Sequence, residues 1–121
     1  MRAVAVALLI AVASPTAAQD VAGLYEVNQM EMGGGLELRP DGRFRYALEY
    51  GAVSEEAQGK WAVERGTVRL TTDPMPPKSE CDRGFASACF DRTPLAAEGE
   101  NLVLYRWDAK ILFKPFQPRP R

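Results

Sequence analysis

The sequence contains no histidine. That absence excludes a Ser-His-Asp or Cys-His catalytic arrangement, any imidazole metal ligand, and the side chain best suited to proton transfer near neutral pH. Cysteine is nearly as scarce. Two residues, Cys81 and Cys89, cannot by themselves complete a zinc site, and their spacing is not that of a Cys-x-x-Cys redox motif. An excess of positive charge is missing too: 15 Lys plus Arg stand against 16 Asp plus Glu, so no net field draws in a phosphate backbone and nucleic acid is not an expected partner. Beyond Ala13 the chain has no long hydrophobic run, and no extended window there shows helical spacing, so any helix is expected to be a single turn.

What is present begins at the amino terminus. Met1 and Arg2 precede an unbroken apolar run from Ala3 to Ala13, followed by Ser14-Pro15-Thr16-Ala17-Ala18-Gln19. One positive charge, a short apolar stretch and the small residues Thr16 and Ala18 before a polar exit have the layout of a secretory signal peptide, with cleavage expected between Ala18 and Gln19. The run is too short for a permanent anchor, since about 30 Å of hydrocarbon takes roughly 20 helical residues. The expected product is exported, periplasmic or extracellular, soluble and monomeric, with one β domain over residues 19–113 and a Pro- and Arg-rich tail over 114–121, extended or disordered. In an oxidising compartment Cys81 and Cys89 are expected to form one disulfide across a short loop.

From Asp20 onward the pattern has a period of two. In Arg43-Phe44-Arg45-Tyr46-Ala47-Leu48-Glu49-Tyr50 the bulky apolar residues recur at every second position, which is a half-buried strand. Leu36-Glu37-Leu38-Arg39 alternates likewise and joins it through Pro40-Asp41-Gly42, a hairpin turn. Residues 58–64 and 67–71 form a second hairpin around Arg65-Gly66, 23–30 a first strand, and 101–107 with 110–113 a last pair around Asp108-Ala109. These are seven strands, and they predict an all-β antiparallel barrel or sandwich. The stretch from Pro74 to Pro94 shows no strand character and reads as one long loop.

The order Gly23-x-Tyr25, Leu36-x-Leu38-x-Pro40-Asp41-Gly42-x-Phe44, Gly59-x-Trp61 and Val68-x-Leu70 resembles the small lipocalin-like domains of exported bacterial proteins, over roughly residues 22–73. The resemblance implies an antiparallel barrel of eight strands, either hollow at one mouth or filled. The chain departs from it in carrying Tyr25 where Trp is usual and in the seven strands counted.

Candidate sites follow from this frame. Tyr25, Phe44, Tyr46, Tyr50, Trp61 and Trp107 read as core, and alternatively as rings lining a ligand cavity. On the second reading Tyr25, Phe44, Tyr46 and Trp61 are the ligand contacts. Gly33-Gly34-Gly35 reads as a flexible connection, because it leads into a strand and not into the helix a phosphate loop requires. Met30 and Met32 suggest at most a weak copper(I) contact from one strand face, with packing the better account. Glu55-Glu56 and Glu80 with Asp82 read as solvated turns. Ser79 and Ser87, with Lys78 as the adjacent base, offer a serine–lysine pair without an oxyanion hole, so no catalytic activity is expected, and no cofactor or metal. The expectation is a binding or accessory module that takes either a small apolar ligand at the barrel mouth or another exported protein, in the manner of a small protease inhibitor.

Overall fold

The computed structural model describes residues 20–83 and 86–116; the expected cleavage point and residues 117–121 of the tail lie outside them. Eight antiparallel strands, each bonded to the next and the last to the first, close into a barrel. They are β1 (Gly23–Gln29), β2 (Met32–Leu38), β3 (Arg43–Tyr50), β4 (Val53–Glu64), β5 (Thr67–Thr72), β6 (Thr93–Glu98), β7 (Asn101–Arg106) and β8 (Ala109–Pro115), with a helix α1 (Lys78–Arg83) between β5 and β6. Closure runs through Tyr25 against Pro115 and Glu26 against Lys114, so that among the described residues each strand has a neighbour on both sides. Lys114 and Pro115 therefore belong to a strand, and the expected tail begins later than residue 114.

The period-two reading places the core correctly on most strands. Phe44, Tyr46 and Leu48 of β3 face inward, as do Leu36 and Leu38 of β2, Trp61 of β4 and Val68 and Leu70 of β5, and all are buried. The strand missing from the sequence count is β6. Its alternation is hidden because only Leu95 is buried on it, and Pro94 sits inside it opposite Arg69. Pro94 is tolerated because β6 pairs with β7 only from Ala96 onward, so no ladder partner on that side needs its N–H.

Gly33-Gly34-Gly35 is not a flexible connection but the middle of β2, paired on both sides. A Cβ at Gly34 would meet the backbone of Ala47 and, at 2.9 Å, the Cα of Leu48, so glycine there lets β2 and β3 approach. Glu80 and Asp82 lie in α1 and not in a turn.

β4 changes neighbours along its length. Its second half pairs with β5 from Gly59 onward, while β5 diverges from the first half. The opened gap is filled by the segment after α1: Glu56 N–H donates to Ala86 O (3.0 Å), Ala88 N–H donates to Glu56 O (2.9 Å), and Thr72 N–H donates to Phe90 O (2.9 Å). The Thr72 hydroxyl accepts from Phe90 N–H at 2.8 Å and donates to Ala88 O at 2.9 Å. Phe90 is thereby driven into the core against Phe44 and Tyr46, with ring centroids 6.2 and 4.9 Å away.

The Cys81–Cys89 disulfide is formed and ties α1 to this inserted segment. Replacing both cysteines by serine is expected to cost about 2.5 kcal/mol, the chain-entropy value for so short a ring. For a domain of this size that lowers Tm by roughly 10–20 °C while the strand circular-dichroism signal persists. A thermal melt checks it; loss of the sheet itself would show that the loop belongs to the folding core.

Candidate functional site

The topology gathers three hairpin turns and the β5–β6 connection at one end of the barrel: Met30-Glu31, Gly51-Ala52 and Trp107-Asp108. Inward-facing positions near this mouth carry an acid and a base. Glu55 shares the parity of Ala57, Gly59 and Trp61 on β4, and Arg106 shares that of Leu102 and Leu104 on β7. The Glu55 side chain is fully buried, and the expectation that it lies in a solvated turn is overturned; Glu56, next to it, is exposed on the outer face.

The buried carboxylate accepts three hydrogen bonds. Arg106 Nε donates to Oε1 at 2.8 Å and Nη2 to Oε2 at 2.8 Å, and Tyr46 Oη donates to Oε1 at 2.6 Å. A two-pronged guanidinium contact with a third donor meets the geometric condition under which a buried ion pair is tolerated. The guanidinium is also sandwiched, 5.6 Å from the Phe90 centroid and 4.8 Å from that of Trp107.

Tyr50 and Trp107 do not enter the core, contrary to their place in the aromatic set. They stack on each other at the mouth, centroids 5.7 Å apart and planes 26° apart, and stay 37% and 41% exposed. Trp107 holds a left-handed φ of 54° and Asp108 one of 59°, the type I′ geometry a two-residue hairpin needs. A tryptophan in that region costs of order 1–3 kcal/mol. Stacking on Tyr50 and Arg106 compensates for that cost.

Tyr46 is held protonated well above the ordinary tyrosine range, first by burial, then by its bond to Glu55 and that group's charge, with Arg106 opposing. The phenolate is more accessible to the unfolded chain, so this contribution is complete below pH of about 10 and is lost as pH rises beyond it. Tyr46→Phe should therefore flatten part of the alkaline loss of stability, read by urea unfolding across that range. Tyr25, raised in the same direction by burial, accounts for a further part.

The four residues named as ligand contacts are all buried. Tyr25 Oη donates to Val21 O at 2.6 Å, Trp61 Nε1 donates to Arg39 O at 2.8 Å, and Tyr46 donates to Glu55. Tyr25 and Trp61 close the barrel end at which residues 20–22 enter, while Phe44 and Tyr46 pack mid-barrel with Phe90 and Phe113. All four belong to one packed core cluster, and Tyr25 and Tyr46 also border the cleft described below. Met30 and Met32 straddle the β1–β2 turn, one 88% exposed and the other in the core, so they do not share a strand face. Lys78 Nζ is engaged by Asp82 at 2.9 Å, on the helix, and not by Ser79 or Ser87.

An open cleft of about 680 Å³ lies on the outer wall of β1–β4. Cross-strand register places Glu26, Gly35, Ala47 and Glu56 in one row across its floor. Leu24 and Phe116 wall one side, and Pro74 and Pro76 the other. Alternation in the sequence places Glu26 and Ala47 on strands, whereas Gly35 reads there as a connection and Glu56 as a turn, and the walls come from segments that only the closed barrel brings alongside. Compared with protein-family models, curated proteins and solved structures, the chain matches none.

Proposed function

We propose that this chain is an exported, non-catalytic, lipocalin-like binding module that engages an extended segment of another exported protein in the cleft on the outer wall of β1–β4. The observation that carries this reading is the filled interior: Phe44, Tyr46, Phe90 and Phe113 occupy the space a container would leave open, so contact falls to the outer surface. The cleft is within the size range of ligand sites, and its small floor residues admit a backbone at close range. Apolar walls and the flanking Glu26 and Glu56 suit a segment with apolar and cationic side chains. Peptides displayed at random, selected on the full chain and counter-selected on Ala47→Trp, test it. Ala47 is exposed on the cleft floor, so the indole blocks the cleft without entering the core. Enriched sequences that bind the native chain and not the variant support the reading; no enrichment, or equal binding to both, sinks it.

A second reading, a small apolar ligand at the mouth, is favoured by the exposed Tyr50–Trp107 stack and its left-handed backbone. It requires an extractable ligand seen by mass spectrometry of the purified protein, and a change in tryptophan emission when that ligand is returned.

A further inference from the structure

One face carries a local excess of positive charge although the chain as a whole is nearly neutral. Around the β3–β4–β5 outer wall, away from the cleft above, lie Arg39, Arg43, Lys60, Arg65, Arg69 and Arg92, six of the 15 cations, against Asp41, Glu64, Asp73 and Asp91, four of the 16 carboxylates. Four of these cations line a second cleft, of about 420 Å³, whose floor is the exposed Ala62 and the hydroxyl-bearing Thr71. Register explains the gathering. Arg43 faces Lys60, Lys60 faces Thr71, and Ala62 faces Arg69, so three neighbouring strands point their cations to the same side.

Two of the carboxylates, Glu64 and Asp73, are each shared by two cations, while Asp41 pairs with Arg39 alone. Glu64 takes both arms of Arg92, at 2.7 and 3.0 Å, and leaves Arg69 Nε at 3.8 Å, buried and without a hydrogen-bond partner among the described residues, while Arg69 Nη1 donates to Arg92 O at 3.0 Å. Asp73 takes Arg43 at 3.3 Å and leaves Lys60 Nζ at 3.7 Å, beyond hydrogen-bond reach, on a side chain that is 70% exposed. Thr71 Oγ1 accepts from Arg92 N–H at 3.1 Å, which leaves its own hydroxyl hydrogen to donate. The cleft is thus lined by four cations against two carboxylates, Asp41 and Glu64, with the Lys60 ammonium and the Thr71 hydroxyl hydrogen left to donate.

We propose that this second cleft is an anion site for a phosphate-bearing ligand, held by Arg43, Lys60 and Arg92 with the Thr71 hydroxyl. Phosphate fits because its several oxygens accept from guanidinium and ammonium groups at once, whereas a single carboxylate already fails to satisfy two of them here. The same chemistry is offered by a free phosphate compound and by the headgroups of an anionic lipid surface, and the two are separable by experiment.

The test uses the full chain at low ionic strength, about 20 mM, because the cations are partly exposed and screening weakens them. Inorganic phosphate is titrated while backbone amide resonances are followed, with chloride at matched ionic strength as the blank. In parallel, co-sedimentation is measured with phosphatidylglycerol vesicles against phosphatidylcholine vesicles. Saturable shifts at Lys60, Thr71 and Arg92 with inorganic phosphate assign a free ligand. Co-sedimentation with the anionic vesicles alone assigns a headgroup. Lys60→Gln, and separately Arg43→Gln, should weaken whichever binding is seen by about fivefold, and Lys114→Gln, which removes the same charge elsewhere, by less than about twofold. Binding of neither probe, or equal weakening by Lys114→Gln, overturns the proposal.

Discussion

Arg106→Leu is expected to lower the free energy of unfolding by about 3–5 kcal/mol, the range for removing one member of a buried ion pair. The size of the effect comes from what is left behind. Glu55 has no exposed side-chain surface, and without Arg106 only the Tyr46 hydroxyl remains to satisfy it. The variant also removes the cation between the Phe90 and Trp107 rings, so the mouth should loosen and Trp107 emission should shift red. The double variant Glu55→Leu/Arg106→Leu separates the cost of an unpaired charge from the value of the pair. Because apolar replacement of a whole buried pair is often neutral, most of the lost stability should return. Urea unfolding of the wild type, the single variant and the double variant measures all three; a double variant no more stable than Arg106→Leu would mean that the pair itself, and not the orphaned carboxylate, carries the stability.

Gly59→Ala is expected to abolish cooperative folding, with a loss exceeding about 4 kcal/mol. A Cβ at Gly59 would overlap Thr71 O and lie 2.7 Å from Asp73 N and 2.8 Å from Thr72 Cα. All three are backbone atoms, so no rotamer relieves the contact and β4 must part from β5. The parting falls at Thr72, whose backbone and hydroxyl hold Ala88 and Phe90 in place, so the inserted segment and its core ring go with it. Gly33→Ala is the matched control: its Cβ would touch only Val27 O, at 3.9 Å, an ordinary contact. That variant should fold within about 1 kcal/mol of wild type, since alanine loses less backbone freedom on folding than glycine does. Soluble yield and urea transitions compare the two, and a well-folded Gly59→Ala protein would show that β4 and β5 can separate there at little cost.

Much of the site was written in the sequence but masked by residue type. Glu55 lies at the same parity as Trp61 in an unbroken strand, and Arg106 at the same parity as Leu102 and Leu104. Alternation alone puts both inside; the chemistry of a carboxylate and a guanidinium argues that neither belongs there. Only the pairing of the two resolves the conflict, and they are 51 residues apart. Two polar residues at apolar parity, one of each sign, were the available signal. Tyr50 shares the inward parity of Phe44, Tyr46 and Leu48 but stands at the end of β3, where that direction opens onto the mouth; Trp107 lies beyond β7 in the hairpin turn, at the parity of the exposed Tyr105.

Local alternation and turn chemistry by themselves determined the antiparallel strands, the Pro40-Asp41-Gly42 and Arg65-Gly66 hairpins, the inward set on β3 and β5, and the bond between Cys81 and Cys89. Each depends on neighbours close along the chain. The eighth strand, the plug formed by Phe90, the Glu55–Arg106 pair and both outer clefts were decided by the closed barrel alone. Closure brings β8 to β1 and lays residues 86–90 against β4 and Thr72, and contacts between segments so far apart leave no period for a sequence pattern to carry.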